Sequence, residues 1–72
     1  MNEEARFRKR LRQLVSEKFG SLDRFYLETD FSKGHLSQIL NGKRSPSLAT
    51  IVKLAKALDV KVADLFKSGK QD

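Results

Sequence analysis

The stretch Phe31-Ser32-Lys33-Gly34-His35-Leu36-Ser37-Gln38-Ile39-Leu40-Asn41-Gly42-Lys43 decides how this chain folds. Ser32 suits a helix N-cap, because its hydroxyl can accept from an amide left unpaired in the first turn. Leu36, Ile39 and Leu40 fall at helical spacing and form an apolar stripe. Gly42 suits the left-handed backbone that closes a helix. The outer face carries Lys33, Gly34, Ser37 and Gln38. One side is therefore made for a core and the other for a polar partner. Gln can engage an adenine edge through two bonds, Lys can reach guanine, and Gly or Ser lets a helix approach closely. That is the chemistry of a helix read against the edges of base pairs.

Upstream, Ser21 caps a short helix in which Leu22, Phe25, Tyr26 and Thr29 share a face. Asp30 occupies the turn that follows, a residue that tolerates a left-handed backbone better than most. Two short helices across a tight turn, about residues 21–42, have the helix-turn-helix layout. Before them, Phe7, Leu11, Leu14, Val15 and Phe19 define a buried stripe on a helix from Glu3 to Lys18. Beyond them, Lys43-Arg44-Ser45-Pro46 reads as a loop, since Pro46 lacks an amide proton and constrains Ser45. Ser47 caps a fourth helix through Leu58, with Leu48, Ile51, Leu54, Ala55 and Leu58 inward. Asp59 makes a turn, Val62 to Phe66 forms a last short helix, and residues 67–72 form a polar tail. No segment has a strand pattern. The expected fold is all-α, a compact bundle of five short helices in a single domain over residues 1–72.

The chain has 72 residues and no Cys, which excludes disulfide staples and thiolate zinc sites. No apolar run approaches membrane-spanning length, and Met1-Asn2-Glu3-Glu4 does not open a signal peptide. The expected location is the cytoplasm, in association with the nucleoid. Fifteen Lys and Arg against nine Asp and Glu give a net charge of +6, which favours a polyanionic partner. His35 is the only His and has no acid or nucleophile in a catalytic spacing. Neither paired carboxylates nor a Gly-rich phosphate loop appears, so no enzyme, metal or cofactor is expected.

From Ser21 to Phe66 the chain resembles the Xre-type family of phage repressors, Cro proteins and restriction-modification controller proteins. The matching residues are Ser21, Phe25, Phe31-Ser32, Leu36-Ser37, Ile39, Asn41-Gly42-Lys43-Arg44 and Pro46. They continue through Ser47-Leu48, Thr50, Leu54-Ala55, Ala57-Leu58, Val60 and Leu65-Phe66. The resemblance implies a lambda-repressor-like domain that binds double-stranded DNA in the major groove. Under it, Lys33, Gly34, Ser37 and Gln38 are the base-reading positions, and Ser32, Asn41, Lys43 and Arg44 meet phosphates. Such phosphate contacts position a protein without reading sequence.

The departures from the family carry expectations of their own. Leu22 replaces the Gln that commonly opens the second helix and binds phosphate. Tyr26 replaces a small Ala, so either the helices separate or the ring escapes sideways. Asp30 stands where Gly is usual. Many members pair an Arg of the first helix with a Glu late in the reading helix; Val15 and Leu40 occupy those positions here. An apolar pair avoids desolvating two charges, and it is what a replaced buried ion pair should look like.

The expected function is that of a transcription regulator, a repressor type, that binds operator DNA as a homodimer. Val60, Val62 and Phe66 form the candidate dimer surface. The run Arg6, Arg8, Lys9, Arg10 and Arg12 reads either as an additional backbone clamp or as a solvated face. Two other classes remain open: an antitoxin-like or adaptor module for an unknown protein partner, with Leu27 as an apolar handle, and a non-specific nucleoid-coating protein.

Overall fold

A computed structural model describes residues 3–67 and contains four α-helices and a terminal 3-10 helix, with no strand among the described residues. The helices are α1 (Glu3–Phe19), α2 (Leu22–Glu28), α3 (Lys33–Leu40) and α4 (Leu48–Leu58). Their starts follow directly from sequence. Ser21 Oγ accepts from the Arg24 amide at 3.2 Å, Ser32 Oγ from the His35 amide at 3.3 Å, and Ser47 Oγ from the Thr50 amide at 3.2 Å. Each such cap contributes about 1 kcal/mol. Glu3 and Glu4 lie in the first turn of α1 and Lys18 in its last, which complements the helix dipole.

The core is organised around α1, which packs against α2, α3, α4 and the 3-10 helix. Phe7, Leu11, Leu14 and Val15 of α1 are all buried. They meet Phe25 of α2, Leu36, Ile39 and Leu40 of α3, Leu54, Ala55 and Leu58 of α4, and Leu65. Phe25 is fully buried inside an aromatic group. Phe19 stands edge-on to it at 5.0 Å, Phe31 stacks on it at 5.5 Å, and Tyr26 lies 6.2 Å away.

Three expectations need correction. The last segment, Val62–Phe66, is a 3-10 helix rather than a fifth α-helix. Five residues are too few for α-helical cooperativity, and short pieces favour the tighter i→i+3 bonding. Its start is held by Asp64, whose carboxylate accepts from the Lys61 amide at 3.0 Å and pairs with Lys67 at 2.9 Å. Those bonds hold the Asp64 carboxyl below the usual carboxylate range, the Lys67 contact contributing most.

The second correction concerns Asp30. Of the two Asp turns, only Asp59 is left-handed, with φ 58°. Its amide donates to Lys56 O at 3.2 Å and the Val60 amide donates to Ala55 O at 2.9 Å, closing α4 in a Schellman motif. At the end of α2 the Thr29 hydroxyl does the work instead. It donates to Phe25 O at 2.7 Å and accepts from the Phe31 amide at 3.4 Å. The backbone there stays extended, with Thr29 at φ −129° and ψ 172°.

The third is Leu48, expected inward but 72% exposed. The buried residues of α4 are Leu54, Ala55 and Leu58, all in its C-terminal half, so its first turn extends beyond the core. The expected polar tail lies, from residue 68 onward, outside the described residues.

Candidate nucleic-acid interface

Helix α3 is seated by Leu36, Ile39 and Leu40, each no more than 5% exposed. This leaves Lys33, Gly34, His35 and Gln38 in solvent and Ser37 half-buried. The four expected base-reading residues thus occupy the accessible side of one rigid helix.

The helix ends in a second Schellman motif. Gly42 takes φ +78°, its amide donates to Ile39 O at 3.1 Å, and the Lys43 amide donates to Gln38 O at 2.9 Å. The Arg44 amide also reaches Gln38 O at 3.3 Å. The chain is thereby turned so that Lys43 and Arg44 leave beside the polar face. Two side-chain bonds link the expected phosphate residues to the expected reading residues. Arg44 Nε donates to Gln38 Oε1 at 3.2 Å, and Asn41 Nδ2 donates to Ser37 Oγ at 3.4 Å. Ser32 lies at the opposite end of α3, exposed and engaged as its cap.

The basic run of α1 divides into roles that composition did not reveal. Arg10 Nε donates to Asp64 O at 3.1 Å and ties the 3-10 helix to α1. Arg12 Nη2 donates to Leu40 O at 3.3 Å, satisfying a carbonyl at the end of α3. The Arg8 guanidinium lies beside Gly42, with Cζ 3.5 Å from where a β-carbon there would stand. Arg8 and Arg12 thus join the C-terminal end of α3, and their i,i+4 spacing was the sequence signal that they share a face.

Val15 and Leu40 are 1% and 5% exposed in the same core. The apolar reading of that pair therefore fits, while a guanidinium still reaches the end of α3 from the preceding turn, at Arg12. The Tyr26 ring is half-buried at the α2 surface that faces α3. It lines a shallow notch of about 210 Å³ with Arg12, Lys33, Ser37 and Asn41. Burial pushes its phenol pKa up, Arg12 pulls it down and Asp23 raises it again.

The candidate dimer residues Val60, Val62 and Phe66 are half-buried against the core. The Phe66 ring lies 5.4 Å from that of Phe7, so it serves the monomer first. Among the described residues the most exposed large apolar ones are Leu27, at 85%, and Leu48. No group of His, Asp or Glu among the described residues is arranged to hold a metal ion. No helix among them is long and apolar enough to cross a membrane.

Neither a curated protein nor a solved structure gives a significant match to this chain. Residues 21–65, which span α2 through Leu65, match the family model described as helix-turn-helix. That match takes in the Ser21 cap, the exposed face of α3, the Gly42 turn and the Lys43-Arg44 loop. Because it covers more than half of the chain, the protein belongs to the Xre/lambda-repressor-like helix-turn-helix family, a family of DNA-binding proteins.

Proposed function

We propose that this protein is a transcription regulator that binds a specific operator in double-stranded DNA, acting as one domain and as a homodimer. The observation that carries this reading is the exposed face of α3. Lys33, Gly34, Ser37 and Gln38 stand over a fully packed apolar underside, with Lys43 and Arg44 turned in beside them. Lys33, Gly34, Ser37 and Gln38 read base edges; Ser32, Asn41, Lys43 and Arg44 position the helix on phosphates. Arg8 and Arg12 add charge at the same end of the helix. Affinity for a selected site should exceed that for random duplex by at least about 10³-fold at physiological salt. Equal affinities would instead indicate a nucleoid-coating role, and weak binding to both an adaptor. The 85% exposure of Leu27 favours the adaptor as the second reading.

Lys43→Ala should weaken binding to every sequence and reduce the slope of log affinity against log salt by about one unit. An unchanged slope would return Lys43 to an ordinary solvated loop.

Gly34→Ala separates two explanations of a glycine in the first turn of α3. A β-carbon there meets nothing within 4 Å in the free protein. The substitution should therefore raise stability, by up to about 1 kcal/mol from helix propensity. If α3 lies close against a base pair, the same methyl group should lower specific affinity. A variant that is more stable in urea and binds its site undiminished would show that Gly34 marks no close approach.

A further inference from the structure

We infer that Arg44 determines base preference by holding Gln38, and that the pair favours guanine over adenine; this rests on the base-reading role proposed for α3. A guanidinium carries only donors, so the Gln38 amide must turn its oxygen toward Arg44 Nε, as the 3.2 Å bond shows. The Gln38 Nε2 amino group is then the end with no partner among the described residues, while the oxygen keeps one lone pair, beside the guanidinium. Reading adenine through two bonds needs the amide oxygen to accept from the adenine amino group while Nε2 donates to N7. Here that oxygen is already engaged by a cation, and an approaching adenine amino group meets the positive charge. Guanine presents N7 and O6, two acceptors and no donor, to the major groove.

The surrounding groups add to the same pattern. The Nη groups of Arg44 have no hydrogen-bond partner among the described residues and remain available as donors. The Ser37 oxygen accepts from Asn41 Nδ2, which leaves its hydroxyl proton to donate. Lys33 only donates. The exposed side of α3 carries no carboxylate, the group suited to the cytosine amino group. The bond is also arranged in advance, because the Gly42 turn delivers the Arg44 amide to Gln38 O within the same loop. Arg44 is thus a positioning residue for the reading amide as well as a cation near the backbone.

Selection from a randomised duplex pool by the full chain tests this directly. Gln38→Ala identifies the base pair read by Gln38 as the one whose preference disappears. The wild type should select guanine at that pair. Arg44→Ala should shift the guanine-to-adenine ratio there toward adenine by about tenfold. Arg44→Lys, whose ammonium also only donates, should keep the guanine preference with the salt slope of the wild type. Selection of adenine by the wild type, or an unchanged ratio in Arg44→Ala, overturns the inference. Enrichment of no sequence at all overturns the base-reading role itself, and this inference falls with it.

Discussion

Phe25→Ala is expected to lower stability by about 3–5 kcal/mol, a large share of what holds a domain of this size together. Phe25 has no solvent exposure and stands against three other aromatic rings. Phe19 joins it to the end of α1, Tyr26 to its own helix, and Phe31 to the turn before α3. Removal of the ring loses its transfer free energy and leaves a cavity walled by stiff aromatic neighbours, which collapse poorly. A small domain has little reserve, because a short chain buries a smaller fraction of its surface. Leu27→Ala, two residues away at 85% exposure, should change stability by less than about 0.5 kcal/mol. Urea melts of the two variants decide the matter. A Phe25→Ala midpoint close to that of Leu27→Ala would show that the aromatic group does not hold the fold.

The contrast between Phe25 and Leu27 also shows what the sequence made legible. Helical spacing and Ser caps placed the start of every helix from α2 to α4, because a cap is a local event between residues three apart. The turn at Gly42 was legible for the same reason. Asp30 was misread because two local solutions compete at a helix end, a left-handed residue or a side-chain hydroxyl. At Thr29 the hydroxyl wins, with bonds on both sides of the turn. Leu48 keeps the period of α4 yet faces solvent, since period alone does not say where the neighbouring helix stops. The arginines of α1 were the least legible. Their partners are main-chain carbonyls at Leu40 and Asp64, 28 and 54 residues away. No side-chain pattern announces a bond of that kind. The Arg44–Gln38 bond lay within reach of sequence reasoning, but only once the Schellman geometry at Gly42 was fixed in three dimensions.

If the protein acts as the proposed dimer, Val62→Asp is expected to dissociate it and to weaken operator binding by more than about 100-fold, roughly 3 kcal/mol, with helical content retained. One α3 reaches only a few base pairs, too few to select a site within a genome. Two copies related by a two-fold axis would read half-sites about one helical turn apart, roughly 34 Å between centres. The C-terminal segment offers the apolar surface for that arrangement. Phe66 is partly committed to Phe7, and Leu65 is wholly buried, so in the proposed dimer the exposed parts of Val60 and Val62 would supply much of the contact. In that arrangement a charge at Val62 would approach its own symmetry copy, and like charges across a desolvated contact are strongly unfavourable. The competing surface is the first turn of α4, where Leu48 stands in solvent beside Ala49 and Val52. Lys53 and Lys56 border that strip, so a two-fold contact there would bring cations of the two copies together. Leu48→Asp should accordingly leave the dimer intact. Sedimentation at micromolar concentration with both variants assigns the interface. Dissociation by Leu48→Asp alone would move it to α4, and a monomeric wild type with full operator affinity would remove dimerisation from the mechanism altogether.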